Sequence, residues 1–176
     1  MKNGYPFEKF SIIAFALIHL ITVSFVHAGG NDLPAANSHC LPTETTYFSC
    51  VTVNKKLISL CGQLPESLQY RYGSKKHIEM QYPEYARGSA KKFTYAHFWR
   101  FQTDRTEINF SNNEMEYALF DYIEGKKHRA GIRITNKEGK DREYTCSGPK
   151  ISRLSDLTEV LRCDPDNALN GGSCRP

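Results

Sequence analysis

Six cysteines downstream of an apolar leader constrain this chain more than any other feature. Residues 1–28 begin with Lys2 and Lys9, continue through the apolar run Ser11–Val26, and reach Val26-His27-Ala28 just before Gly29-Gly30. A charged start, an apolar middle and small residues at the exit have the form of a secretory signal peptide, and the pattern predicts cleavage after Ala28. The rest of the chain has no other apolar run of membrane length, so no membrane span is expected after cleavage. Losing Lys2, Lys9 and Glu8 lowers the formal charge from +4 to +3. That balance is too small to point to nucleic acid. Lys75-Lys76, Lys91-Lys92 and Lys126-Lys127 are local basic spots of the kind solvated turns carry.

The cysteines are Cys40, Cys50, Cys61, Cys146, Cys163 and Cys174. An even set in an exported chain predicts disulfides and a periplasmic or secreted location. Zinc sites want closely spaced cysteine pairs and redox sites want C-x-x-C; neither is present, so neither metal nor cofactor is expected. Pairing is not decided by spacing alone. In the hairpin YFSCVTVNKKLISLC (Tyr47–Cys61), a two-residue turn sets Cys50 and Cys61 diagonally on one face and a four-residue loop sets them opposite each other. A three-residue turn puts them on opposite faces and forbids a bridge. A bridge from one of them to Cys146 is preferred. Cys163 with Cys174 is the best single pair, since it closes the turn-rich loop DPDNALNGGS.

Residues 29–45 have no apolar period and read as an irregular arm. Short segments rich in aromatic and β-branched residues follow: Tyr47–Val53, Leu57–Leu60, Leu68–Tyr72, His77–Tyr82, Phe93–Phe101, Thr106–Phe110, Met115–Ile123, Ala130–Thr135 and Arg142–Cys146. Turn formers separate them. This spacing predicts a mainly β fold, an antiparallel sandwich or barrel over residues 46–148. Residues 149–176 are expected to add one short helix within Arg153–Leu161, capped by Ser155, and then the disulfide-closed loop.

No HExxH, G-x-S-x-G or comparable catalytic pattern occurs around His39, His77, His97 or His128, so no catalytic residue is assigned. The loop from Asp164 to Gly171 is rich in carboxylates and amides but lacks the glycine and distal glutamate of an EF-hand. It reads as a turn. Aromatic residues stand out instead: ten Tyr, ten Phe and a single Trp. Tyrosine and tryptophan suit surfaces that are apolar at one end and wet at the other. Tyr82, Tyr85, Tyr95, His97 and Trp99 form the candidate binding surface.

The Tyr47–Cys61 stretch, with LQYRYG (residues 68–73) and later GIRI and YTC ending at Cys146, resembles a family of small exported β-rich proteins of Gram-negative bacteria. The chain is also similar in general architecture to periplasmic lysozyme inhibitors and toxin immunity proteins. The resemblance implies fold and compartment and carries no catalytic motif. The expectation is therefore an exported, non-enzymatic module that binds another protein, inhibiting or neutralising a cell-wall hydrolase or a toxin. The alternative is an envelope-associated structural or glycan-binding protein.

Overall fold

Period-two alternation of apolar and polar residues becomes ten strands: β1 (Thr45–Thr52), β2 (Leu57–Gln63), β3 (Ser67–Ser74), β4 (His77–Tyr82), β5 (Thr94–Arg100), β6 (Thr103–Asn112), β7 (Met115–Glu124), β8 (Lys127–Thr135), β9 (Asp141–Ser152) and β10 (Arg162–Cys163). The computed structural model describes Met1, Gly4, residues 37–172 and Cys174. Apart from Met1 and Gly4, the predicted leader lies outside the described residues, as do residues 29–36 of the predicted arm. All ten strands belong to one sheet in the order β10-β5-β6-β7-β8-β9-β1-β2-β3-β4, which curls into a half-barrel. The sheet is mixed rather than all-antiparallel, because β10 runs parallel to β5 at its edge.

The sheet turns over at β9, which extends well past the predicted Arg142–Cys146. Its first half pairs with β8 and its second half with β1. Between Cys146 and Lys150 the β9 side carries extra residues relative to β1. Gly148 lies there with φ 86°, a conformation that side chains other than glycine's rarely adopt. A bulge of this kind bends a strand and re-aims it. Because β9 runs through residues 148 and 149, the predicted division between a β domain and a C-terminal segment falls inside one strand.

With the sheet curled, its two inner faces meet. Phe48, Ile58, Leu60, Leu68 and Tyr70 from one half pack with Ile108, Phe110, Leu119 and Ile132 from the other. Phe110 is the centre of an aromatic cluster, stacked on Tyr82 and on Tyr117 with centroids 4.7 Å away in each case. Burial pushes the Tyr70 hydroxyl far above the usual tyrosine range.

The β1–β2 connection is the three-residue loop 53–55, closed by hydrogen bonds between Thr52 and Lys56, with Lys55 left-handed at φ 59°. Cys50 therefore faces the core and Cys61 the opposite side. Cys50 bonds to Cys146, tying β1 to β9. Cys61 bonds to Cys40 in the segment that crosses the outer face. Cys163 bonds to Cys174 as expected.

That outer face carries Ser49, Ser59, Gln69 and Arg71, all buried, because residues 37–44 lie over them. The Asn37 carbonyl accepts from the Ser49 hydroxyl at 2.6 Å, and the His39 amide donates to Ser59 Oγ at 2.9 Å. Arg71 donates to both Glu44 carboxylate oxygens, at 2.5 and 2.7 Å, and to the His39 carbonyl at 3.0 Å.

The predicted helix does not form. Leu154–Leu157 makes a single 3-10 turn, and Ser155 lies inside it with no capping role. The segment leaves β9 with the Arg153 amide donating to the Tyr47 carbonyl and enters β10 at Arg162, so both of its ends are held in strand contacts. The apolar stripe survives in part: Leu154, Leu157 and Leu161 are buried while Val160 is exposed.

One close approach has a measurable consequence. A Cβ at Gly131 would lie 2.3 Å from the Tyr144 carbonyl and 3.1 Å from the Phe120 ring. Gly131→Ala is expected to destabilise the fold by about 2 kcal/mol through overpacking, read as a lower urea midpoint at unchanged slope.

Candidate functional site

Cross-strand register decides which side chains share a surface. On the inner face of β5 to β8, one row runs Trp99, Asp104, Ile123, His128 across the four strands. The next row, deeper toward the core, runs His97, Thr106, Asp121, Ala130. Directly opposed residues hold their Cβ atoms about 5 Å apart, so Asp104 stands between Trp99 and Ile123. This end of the inner face extends beyond the aromatic core. Trp99 is 72% exposed, Ile123 is 42% exposed, and Phe101 in the β5–β6 turn is 84% exposed. Large apolar side chains left this open at one end of the sheet are a feature that contact surfaces share.

The carboxylates of this face are oriented by histidines. His97 Nε2 donates to Asp104 Oδ1 at 3.0 Å, and His128 Nε2 donates to Asp121 Oδ1 at 2.5 Å. A concavity of about 520 Å³ is lined by Asp104, Thr106, Asp121, Ile123 and His128, with Lys150, Ser152 and Ser155 on the far wall. Ser152 Oγ is buried without a hydrogen-bond partner among the described residues.

Alternation sends the cations of these strands to the other side. Arg100 and Arg105 of β5 and β6, and Lys127, Arg129 and Arg133 of β8, fall on the convex face. There Arg105 pairs with Glu124, and Arg129 with Glu143. Glu107, also convex, is almost wholly buried. It accepts hydrogen bonds from the Tyr122 hydroxyl, from Arg133 at 2.6 Å and from Asn167 at 2.8 Å. Burial and the neighbouring carboxylate push the Tyr122 hydroxyl up to about 12. With both oxygens occupied, Glu107 fastens the Cys163–Cys174 loop to the sheet. Asn170 completes the attachment, accepting from the His97 amide at 3.0 Å. A second cleft of about 880 Å³ lies beside this loop, floored by Thr94, Asn109, Glu116 and Arg133.

The five residues of the predicted binding surface do not form one patch. His97 and Trp99 belong to the inner-face site. Tyr82 is packed in the core against Phe93 and Phe110, and Tyr95, opposite Ile108, also packs against it. Tyr85 is 76% exposed on the loop after β4. Phe110, which touches Tyr82, and Asp104, which opposes Trp99, are six positions apart on β6, roughly 20 Å along a strand. Asp104, Asp121, Ile123, His128 and Phe101 complete the site and escaped sequence reasoning. Their only signal is register, which follows from the tight turns at Gln102 and Gly125.

Among the described residues, one cluster has the composition of a metal site: Cys40, Glu44 and Cys61. Its cysteines are joined in a disulfide and its carboxylate is held by Arg71, so no thiolate is available to a metal.

No protein-family model, curated protein or solved structure matches this chain. Fold and site together define a class in physical terms: a disulfide-stapled half-barrel with an open aromatic and carboxylate face. Its three disulfides fit an oxidising, exported environment. Among the described residues no helix is long and apolar enough to cross a membrane.

Proposed function

We propose that this protein is an exported, non-catalytic module that binds another protein through the inner-face end of β5 to β8. The partner in this proposal is a cell-wall hydrolase or a toxin, inhibited or neutralised in the periplasm or outside the cell. One observation carries the proposal: Trp99 and Phe101 are strongly exposed, and Trp99 stands directly opposite Asp104, which lines the open concavity. Exposed aromatic anchors around a pocket are what protein interfaces concentrate their binding energy in. The rigid hairpins behind them keep the entropy lost on binding small.

The test uses the oxidised protein as bait against the source organism's envelope and culture fluid. A hydrolase or toxin recovered near one-to-one and inhibited stoichiometrically is expected. Trp99→Ala with Phe101→Ala is expected to weaken that complex by about 30-fold or more, the effect of losing a hot spot worth about 2 kcal/mol. Equal recovery by the double variant would refute the assignment of this face.

A second reading is favoured by the cleft beside the C-terminal loop. Asn109 Nδ2 is buried there without a partner among the described residues, in a floor that offers both donors and acceptors. Such a floor suits a polyhydroxylated glycan, as in an envelope-associated structural or glycan-binding protein. Co-sedimentation with purified peptidoglycan, lost on Asn109→Leu and kept on Trp99→Ala, would favour it.

A further inference from the structure

We infer that the concavity lined by Asp104 and Asp121 is a receptor for one basic side chain, an arginine or lysine presented by a protein partner. This rests on the binding role proposed above and specifies its chemistry. Each histidine occupies only Oδ1 of its aspartate. Among the described residues no hydrogen bond reaches Oδ2 of Asp104 or Asp121. The two carboxylates stand on neighbouring strands in a diagonal relation, one row apart, at about 7–8 Å between backbones. Both line the same concavity.

The cavity is therefore rich in acceptors, and Lys150 is the one Lys or Arg on its lining. A guanidinium offers five donors in a plane, enough to reach both carboxylates. The indole of Trp99, directly opposite Asp104, supplies a face on which the cation or its alkyl stem can lie. The cations of these strands cannot serve as the site's own occupant, because alternation holds them on the convex face. A free amine in the concavity would leave Trp99 and Phe101, which lie outside its lining, uncovered. A protein surface that presents the cation would cover them, which is why the occupant is assigned to a protein.

Trp99 is the single tryptophan of the chain, so its emission reports on the site directly. The oxidised protein is titrated with acetyl-Gly-Arg-Gly-amide, acetyl-Gly-Glu-Gly-amide and glucosamine. Saturable change with the arginine peptide alone is expected, reduced about 10-fold by Asp104→Asn with Asp121→Asn, the usual scale for lost charge-assisted hydrogen bonds. The double variant should keep the wild-type circular dichroism and unfolding midpoint, and Lys150→Ala should bind the arginine peptide at least as tightly as wild type. Saturation by the glutamate peptide, no saturation by the arginine peptide, or undiminished binding by the double variant would overturn the assignment. Saturation by glucosamine in place of the arginine peptide would overturn its attribution to a protein side chain. If the peptide binds but no hydrolase or toxin is captured, the receptor stands and the broader role falls. If capture depends on Trp99 but not on the two aspartates, the broader role stands and the receptor falls.

Discussion

Replacing Cys50 and Cys146 together by alanine is expected to remove about 4–5 kcal/mol of stability. The two are 96 residues apart in sequence, and the entropy that a crosslink removes from the unfolded chain grows with the logarithm of the loop it closes. The same relation gives about 3 kcal/mol for Cys163 and Cys174, whose separation is 11. A loss of 4–5 kcal/mol approaches the whole stability of an ordinary domain. Position compounds the effect: Cys50 is buried in the core, and its bridge joins β1 to β9 close to the bend where the sheet turns over. Urea unfolding of the two double variants, each beside the wild type, measures the difference. Equal losses would show that native-state packing, rather than the unfolded chain, dominates both bridges.

The second large effect is expected at the covered outer face of β1 to β3. Arg71→Ala should cost about 3–5 kcal/mol, since it leaves the Glu44 carboxylate buried without its partner. Glu44→Ala should cost a similar amount by stranding the guanidinium. Changing both together should cost less than the sum, because the pair is coupled. The pair also confers acid sensitivity. Burial pushes the Glu44 carboxyl up, but the hydrogen bonds from Arg71 and the Leu41 amide, with the guanidinium charge, outweigh it and hold its pKa below the ordinary 4.5. A carboxylate lowered on folding contributes stability that is present above pH 4.5 and lost as the pH falls through the lowered value. Burial also lowers His39, aided by the charge of Arg71 and opposed by a backbone hydrogen bond to Gly73, from an ordinary 6.5. Its contribution is present above pH 6.5 and declines below it. Urea midpoints measured from pH 7.5 to pH 3 should therefore fall in two stages, and Arg71→Ala should flatten the lower one. A wild-type midpoint that stays constant to pH 3 would contradict this account.

Strand positions were legible because alternation is a local signal. In LQYRYG, Leu68, Tyr70 and Tyr72 oppose Gln69 and Arg71, and the folded sheet keeps that division. The polar side of such a strand faces water in an open sheet, yet Arg71 is 4% exposed. Nothing in the alternation announces that residues 37–44 return to cover it. Ser147-Gly148-Pro149 has the composition of a turn and instead forms the bulge through which β9 continues. At Arg153–Leu161, the apolar spacing of a helix was present, but both ends are committed to strand contacts and a 3-10 turn satisfies the same leucines.

The candidate site divides along the same line. Trp99 and His97 stood out in the sequence through residue type alone. Asp104, Ile123 and His128 join them only through the pairing of four strands, and Tyr82 leaves the group because its ring is drawn into the core. The chain by itself determined a mainly β fold stapled by disulfides, because two-residue periodicity and cysteine count are written locally. Tertiary structure alone decided that Cys50 rather than Cys61 meets Cys146, which polar face is covered and which aromatics stay open. Those outcomes depend on strand register and on the bend at Gly148, and both are set by contacts between residues far apart in the chain.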